Sequence, residues 1–190
     1  FYARTFDTVE INSSFYRVPG ERAVASWRAA VPPDFVFAVK GSRFLTHMKK
    51  LEAPPSSLHR FLDAVGRLGP KLGPIVFQLP PRWHLDLERL RRFLRELPRG
   101  RRFAIELRDA TWHTEGVVGL LRQHGVAFCV FDIAGFESPV WVTADFAYVR
   151  LHGPDERAYS GSYSKTRLRM WAERIRRWRE EVEAVYVYFD

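Results

Sequence analysis

The sequence predicts an α/β protein of the (β/α)8 TIM-barrel type, incomplete over this stretch, as one domain spanning residues 1–190. Three observations carry this. Seven short apolar segments alternate with mostly amphipathic helical segments, the rhythm of a parallel sheet. The strands are apolar almost throughout, as expected when helices cover both sides of a sheet or close it into a barrel. Every strand except the last gathers polar residues at its C-terminal end, and in a barrel all those ends meet at one mouth. An open doubly wound sheet satisfies only the first two. The chain begins at Phe1 and ends in strand-like sequence at Asp190, so a first strand and a last helix are expected outside it.

Residues 7–12 form the first strand, with Glu10 and Asn12 on one face because side chains alternate. Residues 13–16 are expected as a loop. Pro19-Gly20 opens a helix carrying Val24 and Trp27, which Pro32-Pro33 ends. Residues 35–40 form the second strand, closed by Lys40. A long loop then runs through Thr46-His47 to Pro54-Pro55. Ser56 or Ser57 is expected to cap a helix with Leu58, Phe61, Leu62, Val65 and Leu68 at helical spacing. Residues 73–79 are the third strand, stopped by Pro80-Pro81. Asp86 starts a helix with one apolar face and one arginine-rich, solvated face. Residues 103–108 are the fourth strand. Val117, Leu120 and Leu121 mark a helix that Gly125 terminates. The strand 126–131 ends at Asp132, and residues 135–145 carry no helical pattern. Residues 146–152 form the next strand, with Arg150 and His152 on one face. The loop 153–163 is of the kind that carries function on a rigid scaffold. Leu168, Trp171, Ile175, Trp178 and Val182 recur at steps of three and four, so the last helix packs on the sheet and its aromatic stripe is core. Residues 184–189 are the final strand.

The stretch that organises the chain is Phe103-Ala-Ile-Glu-Leu-Arg108. Glu106 and Arg108 are two apart, which on a strand places them on one face. Burying a carboxylate and a guanidinium is costly unless they meet each other or a ligand. Other strand ends repeat the design. Glu10, Glu106 and His152 are the candidate catalytic groups. Asn12, Lys40, His47, Gln78, Arg108, Asp132, Arg150 and Tyr159 are the candidate substrate-binding groups. Arginine forks grip phosphate or carboxylate, while a carboxylate and a histidine move protons. Glu106 has two readings, a general base or acid with His152 as partner, or a buried counter-ion for arginine. Glu10, Glu106, Asp132 and His152 have the donor chemistry of an oxygen- and imidazole-ligated metal. Lys40, Arg108 and Arg150 would compete with the ion, so no metal is expected. No phosphate-binding loop, dinucleotide turn or nucleophile elbow is present, and the sequence names no cofactor.

The expected function is a small-molecule enzyme, of isomerase, hydrolase or lyase type, acting at the mouth on a polar, sugar-like or phosphate- or carboxylate-bearing substrate. The alternative is a nucleic-acid-binding or processing module that uses a basic, aromatic-lined mouth, suggested by a net charge of +8 and by aromatic residues in loops. It ranks second because only Lys40, Lys49, Lys50, Lys71 and Lys165 among 30 basic residues are lysine, an arginine bias that genome composition also produces. No apolar run approaches the roughly 18 residues of a membrane span. The one cysteine, Cys129, lies in a buried strand and reads as an inert core residue, which favours a reducing compartment such as the cytoplasm.

Five motifs, in order, add a family resemblance. They are Thr8-Val-Glu-Ile-Asn-Ser-Ser-Phe-Tyr16; Lys40 with Thr46-His47 and Leu51; Gln78-Leu-Pro-Pro81; Glu106-Leu-Arg108 with Trp112; and Arg150-Leu-His-Gly153 with Tyr159, Tyr163, Leu168 and Trp171-Ala172. Together they resemble the YecE-like family, the domain of unknown function 72. The resemblance implies a TIM-type barrel with loose kinship to sugar-isomerase-like barrels, and no established reaction. Thr111 stands where that family usually has serine. The family's opening Gly- and Trp-containing strand is absent, as is its Asn-rich continuation, where Asp190 stands.

Overall fold

Seven strands pair in parallel, and their spatial order follows the sequence without reversal. They are β1 (Thr8–Ile11), β2 (Val36–Lys40), β3 (Leu72–Gln78), β4 (Phe103–Glu106), β5 (Ala127–Ile133), β7 (Phe146–Leu151) and β8 (Ala184–Phe189). The two-residue β6 (Phe136–Glu137) pairs antiparallel with β5, off this path. A doubly wound sheet would reverse direction at a switch point. Here the order curls instead into a nearly closed barrel. Thr8 Oγ1 and Tyr188 OH lie 2.7 Å apart, which joins the first strand to the last by side chains. The computed structural model describes residues 2–133, 135–155, 157 and 159–189. Asp190, where the family's continuation would begin, lies outside them.

The helices are α1 (Ser13–Tyr16), α2 (Glu21–Ala29), α3 (Pro55–Gly66), α4 (Leu87–Arg95), α5 (Glu115–His124) and α6 (Lys165–Glu181). Local chemistry sets most of their ends. Asp86 accepts the Arg89 amide at 3.0 Å, and Thr114 and Ser164 accept the amides three residues on. Gly125 ends α5 at φ +62°, a conformation that costs glycine least. Trp171 and Trp178 of α6 are buried, as their spacing predicts.

Both faces of the sheet are covered. Outward residues such as Val39, Phe77, Ile105, Phe128 and Val149 pack with the apolar faces of the helices in one cluster. Inward residues form a second cluster of Ala38, Val76, Ala104, Ala127, Cys129, Phe146, Tyr148 and Tyr188. Small side chains from β2, β4 and β5 thus make room for the rings of β7 and β8, so the interior is packed rather than open.

Four local expectations change. Residues 13–16 form the one-turn helix α1, because Ser14 Oγ reaches the carbonyls of Ile11 at 2.8 Å and Lys40 at 2.7 Å and pins the turn to β2. The segment after β2 contains a π-helical turn, Phe44–Met48, with Leu45 and Thr46 buried. Neither Ser56 nor Ser57 caps α3. The helix starts at Pro55, whose fixed φ and missing amide suit a first position. β4 ends at Glu106, so Arg108 lies beyond the strand. Trp112, in contrast, is core as expected, and Thr111 keeps the family's hydroxyl at work by accepting the Leu85 amide at 2.9 Å.

Candidate functional site

The strand ends bring four charged groups into one continuous network. Arg150 on β7 donates from Nη1 to Glu106 Oε2 at 2.5 Å and from Nη2 to Glu10 Oε1 at 2.8 Å. The other Glu106 oxygen, Oε1, accepts from Arg108 Nε. Arg150 and Glu106 have no solvent exposure at the side chain, and Glu10 has 5%. Arg108 has 11%, which makes it the arm of the network that reaches toward solvent.

This arrangement follows from register. Gln78 on β3 lies opposite Glu106 on β4, so both occupy the same face at the mouth. Tyr148, two residues before Arg150, shares its face and donates to Glu10 Oε2 at 2.6 Å. Tyr148 was not among the sequence candidates. Its signal was the same two-residue alternation that paired Arg150 with His152, but a tyrosine in an apolar strand reads as core.

His152 caps the network from β7's end. Its Nε2 lies 3.2 Å from Arg108 Nη2 and 3.5 Å from Glu106 Oε1. His152 thus lies against both the Arg108 guanidinium and the Glu106 carboxylate, and its hydrogen bond helps to hold Glu106 ionised. Tyr159 stands edge-on to the His152 ring at 5.4 Å, and its hydroxyl accepts from Arg108 Nη1 at 3.3 Å. The Tyr159 amide is held by the His152 carbonyl at 2.6 Å. Gly153 makes this loop possible. Its φ is +96°, and a Cβ there would meet the Ser160 carbonyl at 2.3 Å.

Burial works against every charge here, and the partners decide the outcome. For Glu106 burial pushes the carboxyl up, but Arg150 and Arg108 hold it well below the usual carboxylate range. Burial likewise opposes the Arg150 charge, and Glu106 and Glu10 outweigh it. Burial and then the Glu106 carboxylate push the Cys129 thiol well up, so it is a protonated core residue and not a nucleophile.

A second group lies around the end of β2. Lys40 Nζ sits 4.6 Å over the Phe15 ring, and His47 meets the same ring edge-on at 5.0 Å. Burial lowers the His47 imidazole, and Lys40, Arg43 and Arg108 lower it further, while Glu106 opposes them. The influence of Arg108 and Glu106 links this group electrostatically to the network.

Two candidates stand apart. Asp132 is fully buried but pairs with Arg167 of α6 at 2.9 Å, and Arg167 also holds Glu137 at 2.7 Å. Burial raises its carboxyl, and Arg167 opposes that. Asn12 is exposed at the start of α1, beside a cleft between β1 and β8. Glu10 and Glu106 turn oxygens onto Arg150, and among the described residues no three His, Cys, Asp or Glu side chains form a metal-binding group. No helix of the described residues is long and apolar enough to cross a membrane.

The comparisons with known proteins agree with this architecture. The family described as "Protein of unknown function DUF72" matches residues 1–190. The chain is 31% identical to UPF0759 protein YecE of Escherichia coli K12 over 119 residues, covering 60% of this chain and 43% of YecE. It is 25% identical to UPF0759 protein YunF of Bacillus subtilis, over all of this chain and 78% of that protein. Among solved structures, a DUF72 family protein of Enterococcus faecalis superposes with a TM-score of 0.87 at 20% identity, over 100% of this chain and 84% of its own. One from Thermotoga maritima does so with 0.84 at 27% identity, over 97% and 78%. The first of these curated matches thus covers less than half of its relative's length. The family match over the whole chain, on a barrel of the same architecture, leads to one conclusion: this chain belongs to the DUF72 family.

Proposed function

We propose that the chain forms the catalytic barrel of a small-molecule enzyme that moves a proton on a polar, anionic or sugar-like substrate at the C-terminal mouth. The observation that carries this is the buried sequence of charges Glu10–Arg150–Glu106–Arg108, ending on the partly exposed Arg108 guanidinium. Isosteric apolar residues would fill the same space without the desolvation cost of four charges. A network that ends on an arginine at the mouth, whose Nη1 and Nη2 meet Tyr159 and His152, suits a carboxylate, phosphate or polarised hydroxyl that takes over those two contacts.

In this reading Arg108 and Lys40 hold the substrate, with Gln78 and Tyr159 beside them. Arg150 and Glu10 support Glu106 from below. Glu106 between two arginines is a weak base. A substrate anion that draws Arg108 outward would free Oε1 and leave it 3.5 Å from His152, which raises its basicity and makes the two a proton-transfer pair. Isomerisation, elimination and hydrolysis all use such a pair. A buried free thiol suits a reducing, cytoplasmic setting.

The test is a thermal-shift screen with sugar phosphates, sugar acids and polyols, repeated on Arg108→Gln. Stabilisation of the wild type that the variant loses is expected. No shift from any class would count against the reading.

A second reading has its own observation. At the opposite end of the barrel, Arg95, Arg99, Arg101, Arg102 and Arg122 line a groove of about 870 Å³. Such a surface suits a polyanion. Arg102 is tied to Glu183 at 2.7 Å and Arg101 to the Leu62 carbonyl at 3.0 Å, which makes part of the groove structural. Tight, steeply salt-dependent binding of generic oligonucleotides would favour this reading over the enzyme.

A further inference from the structure

We propose that His47 is a second proton-transfer group of the mouth, a neutral imidazole that presents its Nε2 lone pair to a small oxyanion held by Lys40 and Arg108. This rests on the mouth being an anion site, and it adds which group moves a proton and what the substrate must carry beside its anion.

The first support is the tautomer. Thr46 Oγ1 donates to the Ser42 carbonyl at 3.1 Å and lies 2.9 Å from His47 Nδ1. A hydroxyl has one proton. With that proton on Ser42, the contact to His47 is an Nδ1–H donating to Oγ1, and Nε2 is left as the acceptor. Thr46 is completely buried within the π-helical turn, so this hydroxyl has little freedom to change partners.

The second support is placement. Phe15 is buried and carries Lys40 Nζ over its ring at 4.6 Å, with the His47 ring perpendicular at 5.0 Å. Ser14 clamps the Phe15 turn to the Lys40 carbonyl at 2.7 Å. The ammonium and the imidazole are thus built on one platform at the ends of β1 and β2.

The third support is charge. The leading charges acting on His47 are Lys40, Arg43 and Arg108, which lower it, and Glu106, which opposes them. With burial, the three cations favour the neutral ring, the form that accepts a proton.

The chemistry follows. Nε2 takes a proton from a C–H or O–H next to the substrate's anionic group. The electron pair stays on the substrate, spread toward oxygens that Lys40 and Arg108 neutralise. The imidazolium, now beside three cations, returns the proton to the same or a neighbouring atom, with no net oxidation. The substrate class is therefore a small carboxylate or phosphate ester with an acidic hydrogen beside it.

The test uses protein with ¹⁵N-labelled histidine. Long-range ¹H–¹⁵N correlation reports the His47 tautomer, assigned with His47→Gln, and inorganic phosphate is the probe. An Nδ1–H tautomer near neutral pH is expected, with a titration midpoint that rises when phosphate binds. Thr46→Val should mix the tautomers and Thr46→Ser should restore one, a response that a purely structural histidine would not show. An Nε2–H tautomer would overturn the proposal. So would phosphate that binds in an Arg108-dependent way yet leaves His47 unmoved, and in that case the anion site itself survives. Absence of Arg108-dependent phosphate binding at millimolar concentration would sink both.

Discussion

Arg150 reaches Glu106 at 2.5 Å from a side chain with no solvent exposure, and neither group has water to fall back on. That relationship shapes the rest of the site. Two further contacts, to Glu10 and from Arg108, balance the charges, and each member is tolerable only because the others are present.

Glu106→Gln is therefore expected to destabilise the fold by ~3–5 kcal/mol, because it leaves two buried arginines, Arg150 and Arg108, with Glu10 as the network's one carboxylate. Denaturant unfolding measures this. A loss under about 1 kcal/mol would show that the network is not a structural requirement.

The acid side of the stability curve follows from the same carboxyl. Its folded-state pKa lies well below the unfolded value of about 4.3. A depressed pKa contributes stability that is full above the unfolded value and is lost as pH falls toward the folded one. Wild-type unfolding midpoints should fall steeply below about pH 4.3, and Glu106→Gln should flatten that slope. Parallel pH profiles for the two proteins would contradict the assignment.

Tyr148→Phe removes the 2.6 Å donor to Glu10 and little volume. A hydrogen bond to a charged group contributes ~1.5–3 kcal/mol, and that loss is expected in denaturant unfolding. Glu10 then keeps its Arg150 contact, so Glu10→Gln in the Tyr148→Phe background should cost less than in the wild type. Additive losses would argue against the coupling.

Gly153→Ala places a Cβ 2.3 Å from the Ser160 carbonyl at a backbone φ of +96°. The loop carrying Tyr159 must shift, at a cost of ~1–3 kcal/mol. Protease nicking within 153–163 should rise sharply, and any ligand held with Arg108 and Tyr159 should bind more weakly. Unchanged cleavage would mean that the loop absorbs the methyl.

The chain's own pattern determined the barrel. Strands apolar on both faces need cover on both, and polar residues at six successive strand ends need a common mouth, so a barrel was legible in the sequence, while the Thr8–Tyr188 side-chain contact that nearly closes it was not. It also marked Glu10, Glu106, Arg108, Arg150 and His152, because charge at the ends of buried strands is costly enough to stand out; Tyr159 was marked by its loop and motif instead. What it could not contain was who meets whom. Asp132 looks like Glu106 in sequence, yet α6 brings Arg167 to it, a partner 35 positions away. Tyr148 looks like core, yet it meets Glu10 from 138 positions away because the barrel curls β7 back toward β1. The turn over Phe44–Met48 reads as loop, yet a buried Thr46 hydroxyl gives it shape and orients His47. Local pattern records the cost of burying each group. Only the closed chain decides which partner offsets it, since that depends on distances between strands far apart in sequence.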